Sequence, residues 1–126
     1  MKQLDPVDAR PTQQLDAAAC LFHGFSDVSR LAILRHLALG EHRVTDLTAH
    51  LGLAQSTVSK HLACLRDCGL VEFRPVGRAS MYSLTHPEAM AELFRAADTL
   101  LDLTGAAVTL CATHASQALS PMVGSQ

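Results

Sequence analysis

The stretch that most constrains this chain is residues 44–68, VTDLTAHLGLAQSTVSKHLACLRDC. It reads as two helices joined by a tight turn. Leu47 and Leu51 stack four apart on the first, and Gly52, with no Cβ to obstruct a left-handed backbone, marks the turn before Leu53. The second begins near Gln55, and its Val58, Leu62 and Leu65 recur at spacings of four and three. Gln55, Ser56, Thr57, Ser59, Lys60 and Arg66 then point elsewhere. An outward face of an amide, small hydroxyls and cations suits a major groove, since amides and guanidinium groups pair with base edges and hydroxyls reach phosphates. This is the pattern of a helix-turn-helix, although an ordinary helical hairpin with a solvated face shares it.

The following segment, GLVEFRPVGRASMYSL, tips the balance. Leu70 to Arg74 and Ser80 to Leu84 are short β-rich runs around Pro75-Val76-Gly77-Arg78, a hairpin loop with a cation at its tip. A helix-turn-helix followed by a basic hairpin predicts a winged helix, with Arg74 and Arg78 along the DNA backbone and His61 facing DNA or capping. Charge is distributed to match. The whole chain carries −2, but residues 28–86 hold seven cations and four anions, a net of +3, leaving −5 for the rest.

Around this centre, Thr12 is expected to cap a first helix to about His23, and Ser26 a second that runs to Gly40 with Leu31, Ile33, Leu34 and Leu37 facing the core. Pro87 opens a helix to about Leu103, and after Gly105 a last one runs from Ala106 to about Leu119. The expected fold class is mainly α with a small β-hairpin: a winged helix-turn-helix domain over residues 12–119, between a flexible 1–11 segment and a flexible 120–126 tail. The terminal helices carry more apolar surface than one core can cover, which predicts a homodimer formed through N- and C-terminal helices. Two recognition helices about one DNA turn apart then read a palindrome in double-stranded operator DNA.

Several classes are excluded. The first sixteen residues are polar with two prolines, unlike a signal peptide, and no apolar run approaches the roughly twenty residues of a membrane span. A cytoplasmic protein is expected, its four cysteines reduced. Paired carboxylates, a nucleophile–base arrangement, a P-loop and a Rossmann fingerprint are all missing, so neither an enzyme nor a small-molecule substrate is expected.

Cys64 and Cys68 sit four apart at the end of the proposed recognition helix, a spacing that stacks two sulfurs on one face. They suit a shared metal ion, but on spacing alone two small buried hydrophobes packing the helix end are the favoured reading. Cys111, in VTLCATH, is the obvious third ligand, and its place on a dimer helix allows it to come from the partner subunit. Three thiolates favour a thiophilic ion such as Cd(II) or Pb(II), with Zn(II) possible. His114, one turn beyond Cys111, is either a fourth ligand or a surface residue. Cys20 reads most simply as core, and His36, His42 and His50 as surface.

With FSDVSRLAILRHL and VTDLTAHLGLAQSTVSKHLACLRDCGLVEFRPVGRASMYSL in place, the chain resembles the ArsR/SmtB family of metal-sensing winged-helix repressors over about residues 24–85. HLACLRDCGLV with a later single cysteine looks most like those members that sense cadmium and lead through two recognition-helix cysteines and one from the other subunit. That likeness carries the ligand role to Cys64, Cys68 and Cys111. It implies a metal-free dimer that blocks an operator and is released by metal. Val44-Thr45-Asp46 replaces the family's CxC-type cluster, so that site is not carried over. Nor is the one on the helix after the wing, where His86, Glu88, Glu92, Asp98 and Asp102 come without a second histidine. Val28 stands where the family usually has proline, which softens the helix start. A thiol redox or arsenite sensor on the same fold, and a metal-independent interaction module, are the rival readings.

Overall fold

The computed structural model describes residues 6–106 and 110, with side chains from residue 14 onward. Its elements are α1 (Pro6–Gly24), α2 (Val28–Leu37), β1 (His42–Arg43), α3 (Val44–Leu51), α4 (Gln55–Asp67), β2 (Val71–Val76), β3 (Ala79–Leu84) and α5 (Pro87–Leu103). This is the winged helix-turn-helix that the sequence predicts, with a sheet of three strands rather than a lone hairpin. The helix expected from Ala106 to Leu119 falls outside the described residues apart from Ala106 and Leu110, neither of which is helical.

The core is aliphatic and sits where α2, α3 and α4 meet the wing. Ile33, Leu34, Leu47, Val58, Leu62 and Leu65 are wholly buried, closed by Leu37, Val71, Leu84, Met90 and Phe94. Leu31, expected among them, only packs partly against this cluster. Phe25, between α1 and α2, meets Phe94 edge-on at a centroid distance of 5.9 Å, tying the N-terminal helix to α5.

Three local details differ from expectation. Helix α1 starts at Pro6, a residue that suits a first turn because its missing N–H needs no partner there, so Thr12 lies inside the helix instead of capping it. The cap of α2 is Asp27, not Ser26. Its carboxylate accepts the Arg30 N–H at 3.1 Å, whereas the Ser26 hydroxyl donates to the His23 carbonyl at 2.8 Å and is already engaged. Finally, β1 pairs antiparallel with β3 (His42 opposite Tyr82, Arg43 opposite Met81), making β3 the central strand. Pro75 lies in β2, an edge strand, which tolerates a residue without an N–H, and the turn is Gly77-Arg78.

The Asp27 cap should be sensitive to acid. The Arg30 amide, more than any neighbouring charge, holds its carboxyl below the usual carboxylate range. A lowered folded-state value means that the contribution is complete above the ordinary carboxylate range and is lost as pH falls through the lowered value. Asp27→Ala should therefore melt below the wild type at neutral pH by circular dichroism, and the gap should close in acid.

Candidate nucleic-acid interface and metal centre

Helix α4 begins where Gly52, at φ 67°, ends α3 and redirects the chain. Val58, Leu62 and Leu65 anchor its inner face, leaving Gln55, Ser56, Ser59, Lys60 and Arg66 exposed and Thr57 half-buried. His61, expected to face DNA or to cap, is half-buried and turned towards the capping Asp27 at the start of α2. Three residues after Val58 and beside Leu62, it lies at the margin of the buried face, with Nε2 3.7 Å from the Asp27 carboxylate and Nδ1 3.4 Å from Arg30 Nη1. It joins α4 to the start of α2.

The wing cations divide in the same way. Arg74, expected along the DNA backbone, makes a bidentate pair with Glu41 at 2.8 and 2.9 Å. That hydrogen bonding lowers the carboxyl of Glu41 and raises the guanidinium of Arg74 from their ordinary values, and it fastens the wing to the loop before β1. The Arg66 guanidinium lies 4.6 Å above the Phe73 ring, on the strand beside the recognition helix. Lys60 and Arg78 make no ion pair among the described residues. Arg78 instead lines a polar depression with Arg43, Thr45 and Gln55, where the wing, the start of α3 and the start of α4 converge. Arg43 and Thr45 were not singled out from the sequence, because only the pairing of β1 with β3 brings them beside the wing.

The C-terminal end of α4 carries the cysteines. Gly69, at φ 76°, stops the helix, with the Leu70 N–H bonded to the Leu65 carbonyl at 2.9 Å. Cys68 is therefore the C-cap of α4, one turn beyond Cys64 and three residues before the wing, and both are half-buried. Cys20 is exposed rather than core, and its sulfur lies 3.0 Å from that of Cys68. The Cys68 thiol is pushed up to about 11, first by its hydrogen bond with Cys20, then by burial and by the neighbouring Cys20, Cys64 and Asp67 charges. Among the described residues no three ligand-type side chains converge on a ready-made metal position. Cys111 and His114 lie outside those residues. Leu110, next to Cys111 in sequence, is held to α5 by its N–H bond to the buried Asp98 carboxylate at 2.5 Å.

The histidines read as surface residues also come together. His36, His42 and His50 form a ring cluster with centroids 5.2–6.1 Å apart, at the junction of α2, β1 and α3. No single helix among the described residues is long and apolar enough to cross a membrane.

Known proteins share this architecture. Residues 27–72 match the pattern of the "Bacterial regulatory protein, arsR family". A probable mercury resistance operon repressor of Streptomyces lividans is 35% identical over 101 residues, 80% of each chain. The homodimeric winged helix-turn-helix DNA-binding domain Mb0332 of Mycobacterium bovis superposes with a TM-score of 0.68 at 30% identity, covering 81% of this chain and 91% of that one. The cadmium metal-sensor CmtR of Mycobacterium tuberculosis superposes at 0.51 with 42% identity, over 60% of this chain and 81% of its own. Sequence and architecture agree: the chain belongs to the arsR family of bacterial regulators, DNA-binding winged helix-turn-helix proteins of transcription.

Proposed function

We propose that this protein is a homodimeric transcriptional repressor that binds operator DNA when metal-free and is released by a thiophilic metal ion, Cd(II) or Pb(II), held by Cys64, Cys68 and Cys111. Zn(II) is possible, but three thiolates leave it without the fourth ligand of its usual tetrahedral site. The observation that carries this reading is the position of Cys64 and Cys68. They occupy the last turn of the helix whose exposed face holds Gln55, Ser56, Ser59 and Lys60. Whatever those sulfurs bind acts directly on the element that reads DNA. The S. lividans relative is named for mercury and the M. tuberculosis one for cadmium, both soft ions.

Dimerisation follows from unpartnered apolar surface. Leu15 and Phe22 on α1, and Leu100 and Leu103 on α5, are 59–76% exposed in the single chain. A second copy would cover them, as the homodimeric Mb0332 domain suggests. A metal that ties the end of α4 to the segment after α5 changes the angle of the recognition helix against that dimer frame. If DNA and metal prefer different frames, each weakens the other by the same factor, in the range of about 5–150-fold.

The test is an anaerobic cadmium titration of the reduced protein with a labelled palindromic operator. Thiolate-to-metal absorption saturating at one metal per subunit, with anisotropy falling in step, is the expected result. DNA binding with no response of either signal to cadmium would remove the metal assignment and leave the fold untouched.

The cations should separate by their partners. Arg78→Ala and Lys60→Ala are each expected to lower the slope of log affinity against log salt by about 1. Arg74→Ala should change that slope less, because Glu41 already holds the guanidinium. Anisotropy across a salt series distinguishes the two behaviours.

A further inference from the structure

We propose that Cys20 and Cys68 form a reversible thiol–disulfide pair, closed by hydroperoxides into an intrachain bond between α1 and the end of the recognition helix. The two sulfurs are 3.0 Å apart, and the Cys68 thiol donates to the Cys20 carbonyl at 3.3 Å. A disulfide needs about 2.0 Å, a further approach of about 1 Å. The approach is local, and Gly24 permits it. Gly24, one turn after Cys20, faces Leu65 and Leu70 on either side of Cys68, and a Cβ placed there would stand 3.0 Å from Leu70 Cδ1 and 3.6 Å from Leu65 Cδ2. A glycine at the crossing lets α1 lie against α4.

Orientation keeps the pair accessible. Leu15 and Phe22 mark the apolar side of α1, and at about 100° per residue Cys20 lies well round the helix from both. Covering that apolar side with a second copy leaves the Cys20 side open to a small oxidant. The exposed Cys20 meets it first: its thiolate attacks one peroxide oxygen, forming a sulfenic acid and releasing hydroxide. The Cys68 sulfur then attacks the Cys20 sulfur, its proton leaving with the hydroxyl as water. In sum two thiols and one hydrogen peroxide give one disulfide and two waters. A dithiol reductant returns both thiols by exchange.

Closing the bond removes Cys68 from metal chemistry, so oxidation and metal binding exclude each other. That consequence, and the second copy placed on α1, rest on the proposed function. The experiment treats the full-length wild type and a Cys64→Ser/Cys111→Ser variant with hydrogen peroxide, quenches, counts free thiols and maps linked peptides by mass spectrometry. The wild type should fall from four free thiols per chain to two, with Cys20 joined to Cys68 in both proteins at monomer mass on a non-reducing gel, reversed by dithiothreitol. Cys20→Ser should yield no such linkage. Thiols that survive peroxide, or bonds from Cys68 to any other cysteine or between chains, would overturn the pair. Cadmium added to the oxidised wild type should then give no thiolate band. A full band from protein with the mapped linkage would uphold the disulfide and refute the ligand role of Cys68.

Discussion

Leu62→Ala is expected to destabilise the protein by about 2–5 kcal/mol, a large share of the roughly 5–15 kcal/mol that holds a domain together. Leu62 is wholly buried in α4, among Leu34, Leu47, Val58 and Leu65, in a core without tryptophan. Truncation leaves a cavity that the flanking aliphatic side chains cannot fill without leaving their rotamers. Since the same helix presents Gln55, Ser59 and Lys60, loss of its anchor should weaken operator binding as well. Lys60→Ala, at an exposed position of that helix, separates the two effects: DNA affinity should fall with the urea midpoint unchanged. Both midpoints are to be compared at one protein concentration, because a dimer's stability depends on it. An unchanged midpoint for Leu62→Ala would mean that α4 does not pack as described.

Where apolar spacing carried the information, the sequence was readable. The bounds of α3, α4 and α5 follow from leucines recurring at three and four, and from glycine or proline at the ends. Contacts remote in sequence were not. Strand β1 is two residues long, too short to show alternation, and it exists because His42 meets Tyr82 forty residues later. Arg74 reads as a DNA-backbone contact from its place on the wing, and nothing local reveals its pair with Glu41, 33 positions away. Cys20 reads as core because a cysteine on an apolar helix usually is; in the structure it is exposed, and the approach of α1 to the end of α4 sets it beside Cys68. Ser26 and Asp27 are both good caps, and the choice fell to a hydrogen bond that Ser26 makes backwards. For the metal, two of the three expected ligands share the helix end that the spacing implied, and Cys111 lies outside the described residues.

Cys64→Ser and Cys68→Ser are each expected to bind the operator as the wild type does and to remain bound when cadmium is added. Serine replaces the sulfur with a hydroxyl of similar shape, so α4 keeps its fold, while a hard oxygen donor gives a soft cation little affinity. If the metal response is a coupling of about 5–150-fold between the two ligands, removing one sulfur should erase it while leaving the DNA-bound frame intact. Acidity supplies an independent check. Metal binding must displace the proton that the Cys68 environment retains, since that thiol is pushed up to about 11 and is protonated at neutral pH. Cadmium affinity of the wild type should therefore rise with pH, each protonated thiol ligand contributing about a tenfold gain per pH unit. Cys68→Ser should lose that share of the slope along with the release of DNA. A serine variant that falls off the operator without any metal would instead assign the cysteines to packing the end of the recognition helix, and the site of metal action would have to be sought elsewhere in the chain.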